Sequence, residues 1–188
     1  ASFSEVSLER VRVTTWGGYG GAALGALIGI PIASSTQSVG GEIASITIGG
    51  SLIGNGPTTG SQIFADGNIG PVKIGRDVRG GAGGGSGAIF GASSVGSVTI
   101  GGSLIGGTGA YSGMVRTNVA AGLKNGGSML GGDGPYSGSI RIFNGLGNVI
   151  IGGDLIAGTS ATAGRIENQG GSVGAVKAPC SPRRWALA

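Results

Sequence analysis

The sequence predicts an all-β chain wound as a single-stranded parallel β-helix, or β-solenoid, and three observations lead there. The stretch Gly49-Gly50-Ser51-Leu52-Ile53-Gly54 returns letter for letter as Gly101-Gly102-Ser103-Leu104-Ile105-Gly106. Looser copies begin at Gly75, Gly126 and Gly152, so successive starts are 26, 26, 25 and 26 residues apart. A fixed period of that length marks stacked supersecondary units. Apolar residues then fall into columns when the copies are aligned. Ile46, Val72, Val98, Leu123 and Val149 form one, and Ile48, Ile74, Ile100, Asn125 and Ile151 form the next. Thr47, Lys73, Thr99, Lys124 and Ile150 lie between them, giving the two-residue alternation of a half-buried strand.

Two further inward columns complete each coil. One is Leu52, Val78, Leu104, Met129 and Leu155, and the other is Ile63, Ile89, Val115, Ile140 and Ile166. The pattern predicts about three short strands per coil of about 26 residues, separated by glycine-rich turns. One such coil cannot bury its apolar side alone, but the next offers an identical edge. Each fully buried Ile, Leu or Val contributes roughly 1.5–3 kcal/mol, against roughly 1–2 kcal/mol per residue for ordering the backbone. Several coils must therefore cooperate. The glycine pairs are expected to allow positive φ and a tight corner. Right-handed winding is expected from the bias of parallel crossovers.

Taken in order, residues 1–42 read as degenerate N-terminal coils or a cap. Val6, Leu8, Val11 and Val13 nearly alternate, as in one or two strands at the edge of the array. The stretch from Gly17 to Ile32 is apolar, with Gly21, Gly25 and Gly29 at four-residue spacing, which raises a membrane helix with a small-residue face. It is short for a span and carries Pro31 and many glycines, so another degenerate coil is expected and no membrane span is favoured. Residues 43–177 read as the regular repeats, making six or seven coils with the flanking pieces. Residues 178–188 read as an irregular tail, because Pro179 and Pro182 cannot extend a central strand. The chain opens on Ala1 without a charged-then-apolar leader, which fits a removed signal peptide or a piece of a longer chain.

The composition removes most chemistries. Glycine accounts for 46 of 188 residues, and charged residues for 11%, so Ser, Thr, Asn and backbone must cover much of the outside. The net charge of +4 is scattered among few aromatics, and no nucleic-acid partner is expected. There is no histidine, the commonest general base and metal ligand, and Cys180 is the single cysteine. Glycosidic cleavage needs two carboxyl groups about 5–10 Å apart. Asp77 and Asp154 share a column but sit three coils, or about 14 Å, apart. Gly131-Gly132-Asp133-Gly134 only approaches a calcium-binding turn, and it occurs once. Matches to Gly-x-Gly-x-x-Gly are expected by chance here, and no Gly-Lys-Ser/Thr ending follows one. The Thr47 and Thr99 column is too interrupted for an ice-binding ladder. No catalytic, cofactor or metal site is expected.

Two stacks point to ligand contact. Tyr111 and Tyr136 hold equivalent places in Tyr-Ser-Gly turns. They could hold a sugar ring, although a cross-coil packing pair is the plainer expectation. Arg116 and Arg141 also align, and like charges in that position are expected either to grip an anion or to splay into water.

Units such as Ile43 through Gly54 and Val95 through Gly106 resemble the glycine-rich repeats of very large secreted or cell-surface bacterial proteins. The resemblance covers about residues 43–177 and implies an adhesive or structural role, outside the cell or on its surface. The charged copy at Arg76 and Arg79 departs from it. The expected function is thus a non-catalytic structural or adhesive repeat segment. Its partners would be a surface glycan or further repeats of the same longer chain. The alternative is a carbohydrate-active or carbohydrate-binding parallel β-helix, similar to a polysaccharide lyase.

Overall fold

The structure, a computed structural model, describes residues 42–54 and 61–179 together with the backbone of two strands, 11–14 and 36–39. The strands are β1 (Val11–Thr14), β2 (Thr36–Val39), β3 (Ser45–Ile48), β4 (Leu52–Ile53), β5 (Gln62–Ala65), β6 (Val72–Ile74) and β7 (Val78–Arg79). They continue as β8 (Ile89–Ile100), β9 (Leu104–Ile105), β10 (Val115–Asn125), β11 (Met129–Leu130), β12 (Ile140–Ile151), β13 (Leu155–Ile156), β14 (Ile166–Asn168) and β15 (Val176–Lys177). There is no helix among the described residues.

The long sheet runs β1-β3-β6-β8-β10-β12-β14, with β2 and β5 joined beside β8 and β15 on β12. The second sheet runs β4-β7-β9-β11-β13. Each coil crosses from one sheet to the other at its glycine pair and returns through the turn before the next long strand. The predicted columns are in register: Ile46 faces Val72, Val72 faces Val98, and Val98 and Val149 both face Leu123. Leu52, Val78, Leu104, Met129 and Leu155 likewise pair in sequence. These pairings are parallel, as a solenoid of about 26 residues per turn requires. The exception is β1, which lies antiparallel on β3 and closes the edge of that strand.

Five coils are described, with β2 and β15 supplying fragments at the two ends, where the sequence suggests six or seven. Strand length also differs from expectation. In the three coils whose long strands begin at Ile89, Val115 and Ile140, two of the three expected strands run together as single strands of 11 or 12 residues. A further inward column lies at the junction. Ile43, Ile69 and Val95 bridge in parallel, and Ala120 and Leu146 continue the line. Its apolar residues keep the backbone paired where a turn was expected. The stretch from Gly17 to Ile32 and Cys180 lie outside the described residues.

The glycine pair has another cause than the one expected. None of Gly75, Gly101, Gly126 or Gly152 has positive φ. Instead, a Cβ on Gly101 would run into the carbonyl oxygen of Gly75, and one on Gly152 into that of Gly126. Close approach between coils excludes a side chain there.

Candidate functional site

Turn chemistry sets the outer surface. Ser86, Ser112 and Ser137 are buried, and their Oγ atoms accept hydrogen bonds from the amides of Gly81, Gly107 and Gly132 at 2.9, 3.0 and 3.0 Å. Ser112 also donates to the Gly109 carbonyl at 2.7 Å. Each serine sits between two left-handed residues. The one after it is glycine, at φ 63° in Gly87, 57° in Gly113 and 60° in Gly138. The one before it is Gly85 at 69° but Tyr111 at 59° and Tyr136 at 56°. A residue with a Cβ pays about 1–2 kcal/mol for that conformation, and Gly85 shows that the fold accepts glycine there. The two rings stack at 5.3 Å between centroids and within 2° of parallel, which is the cross-coil pair.

Beside them runs an outward column on the long sheet. Phe64, Phe90, Arg116, Arg141 and Glu167 follow one another in register. The two arginines are neighbours, yet Arg141 does not splay into water. Its side chain is only 16% exposed and lies 3.6 Å from the Glu167 carboxylate. Its guanidinium stands 4.5 Å from the Tyr136 ring centroid and 5.3 Å from that of Phe143. Arg165 reaches the same carboxylate at 2.6 Å and the other side of the cluster, 5.0 Å from Tyr136. The Gln169 amide donating to Glu167, and then the two guanidinium groups, hold that carboxyl below the usual range, with burial opposing them.

Arg116 differs from Arg141. It is exposed, rests 5.2 Å from the Phe143 ring centroid, and has no carboxylate within salt-bridge distance among the described residues. It opens on a groove of about 550 Å³ whose walls include Phe64, Phe90, Tyr111 and Phe143. Gly84 and Gly85 form its edge, with Gln62, Thr117 and Asn118 as polar lining. The tyrosine column ends at Gly85, where a Cβ would already meet the Phe90 ring at 3.1 Å.

Among the acidic residues elsewhere, Asp77 is tied to the backbone. Asp77 Oδ1 accepts from the Ser103 amide at 2.9 Å, Ser103 Oγ from the Ser128 amide at 3.1 Å, and Ser128 Oγ from the Asp154 amide at 3.0 Å. This ladder, begun by Ser51 and the Asp77 amide at 3.2 Å, gives the Ser/Asp position of the repeat its purpose. Asp133, in the turn weighed for calcium, accepts from Thr159 Oγ1 at 2.7 Å. No group of three or more Asp, Glu, Cys or His residues converges among the described residues.

The sequence singled out Tyr111, Tyr136, Arg116 and Arg141, and the structure gathers them on one face. It missed Phe64, Phe90 and Phe143, and the serine staple, whose signal was the recurring Ser-Gly at 86, 112 and 137. Compared with family models, characterised proteins and solved structures, the chain finds no match.

Proposed function

We propose that the chain is a non-catalytic structural or adhesive repeat segment of a secreted or cell-surface protein. The observation that carries this is the ladder from Ser51 to Asp154, in which the recurrent polar side chain of each coil is engaged by the backbone amide of the next. Hydroxyls and carboxylates used in this way hold the coils together and are withdrawn from chemistry. Outward surfaces of such an array are then free to vary and to touch partners. The carbohydrate-directed alternative draws support from the groove at Tyr111, which has the mixed aromatic and polar lining of a ligand site. Its lining contains no carboxylate, so binding fits it better than hydrolysis. A glycan array run beside turnover assays tests the proposal. Binding or silence without cleavage supports a scaffold, and cleavage of any polysaccharide ends that reading.

A further inference from the structure

We infer that the groove between Tyr111 and Phe64 is a binding site for a linear acidic oligosaccharide. One sugar ring would rest against the exposed Tyr111 side chain in the groove, with its carboxylate on Arg116. The inference rests on the adhesive reading only in that the site binds without cleaving.

Three features converge. Tyr111 is fixed in a left-handed turn at φ 59° and backed by Tyr136 at 5.3 Å, so its ring is a prepared platform. The tyrosine column ends at Gly85, where the Phe90 ring and the Gln62 amide come within 3.1 Å of the Cβ position, and Tyr111, Gly85, Phe90 and Gln62 line the groove together. An aromatic face of this kind takes the apolar CH face of a pyranose as readily as another ring. Arg116 supplies the one cation of the groove lining, and no acidic residue neutralises it as Glu167 neutralises Arg141. A guanidinium in that state matches a planar carboxylate in two parallel hydrogen bonds. Gln62 and Asn118 offer amides to hydroxyl groups along the same wall.

Shape selects an extended ligand. The aromatic residues at 64, 90 and 143 are spread across three coil-to-coil steps, about 14 Å at the usual strand spacing. That length fits two or three linked sugars. Single-stranded nucleic acid would also stack on the rings, but it needs a cationic track for its phosphates, and Arg116 stands alone in this lining.

The test uses tetragalacturonate, the same tetrasaccharide with its carboxyls methyl-esterified, and oligothymidylate, each titrated calorimetrically into the whole chain. Two variants are compared with the parent. Tyr111→Gly removes the ring while installing the residue that Gly85 already shows to be compatible with the turn, and Arg116→Gln keeps size and removes charge. Circular dichroism and a urea melt of each variant separate loss of fold from loss of site. The expected result is saturable binding of the free acid that falls at least about tenfold in either variant. The ester should bind more weakly than the acid to the parent and equally to Arg116→Gln. The site is overturned by absence of binding to the parent, by unchanged affinity in folded Tyr111→Gly, or by preference for oligothymidylate. If the parent cleaves the tetrasaccharide, the non-catalytic reading fails while the site stands.

Discussion

The middle coils and the last one carry the same motif and meet different fates. Leu104 and Met129 are fully buried, while Leu155, their counterpart one coil on, is 46% exposed and Ile156 is 49% exposed. Local sequence cannot explain this, since Gly152-Gly153-Asp154-Leu155-Ile156 is nearly the Gly101 copy. What differs is the neighbour. A side chain in a solenoid is buried by the coil stacked upon it, so the inward column is a property of pairs of coils. The opposite end makes the same point in reverse. Ile46 and Ile48 stay buried in the short strand β3, where β1 lies across the edge.

The largest effect should separate these regions. Ile100→Asp places an unpaired charge in the fully buried core, and should cost several kcal/mol and abolish the cooperative urea transition. Thr99→Asp, on the outward side of the same strand, and Leu155→Asp should each retain that transition. Equal damage at Ile100 and Leu155 would break the comparison. Leucine truncation grades it more finely. Leu104→Ala is expected to lose about 2–5 kcal/mol, and Leu155→Ala less than about 1 kcal/mol, both read as shifts in urea midpoint.

A smaller effect comes from the turn staple. Ser112 accepts from Gly107 and donates to Gly109 inside the structure, so Ser112→Ala should lose about 1–3 kcal/mol by stranding those backbone groups. The last coil carries Ala163 at the equivalent place, already buried. Ala163→Ser there should gain about 0.5–1.5 kcal/mol. Matching changes in the two coils would mean that the serine acts through something other than its turn.

How far the sequence carried this picture depended on periodicity. Columns anchored on the glycine pairs were legible because an inward residue must lie over its equivalent, as Val98 lies over Val72. Outward phase was not, because β10 slips register between Thr117 and Val119 relative to both neighbours. Phe143 falls in that irregular stretch, so alignment on glycine could not set it beside Arg116. Asn125 shows another limit. It occupies an isoleucine column and is fully buried, yet its amide donates to the Gly127 and Ser128 carbonyls at 2.9 and 3.0 Å. It serves the corner of the coil that is one residue shorter than the rest. The choice left open for Arg141, an anion or water, turned on a related point: two arginines in one column suggest repulsion until Glu167 is known to follow in register.

That last coil, poor in burial, is joined to its neighbour by charge, and the smallest prediction follows from it. Glu167 accepts from Gln169 at 2.9 Å and Arg165 at 2.6 Å and pairs with Arg141 at 3.6 Å, so its folded-state pKa lies below the ordinary value of 4.5. A carboxyl with a depressed folded pKa contributes stability that is present above the unfolded value and is lost as pH falls through the folded one. Glu167→Gln should therefore lower stability at pH 7 by less than about 1 kcal/mol, and the difference from the parent should shrink as the acid limb is descended below 4.5. Urea midpoints of the two proteins at neutral and acid pH measure this. A gap that stayed constant across that range would assign the role of Glu167 to shape and hydrogen bonding, and the end coil would then differ from the middle ones in burial alone.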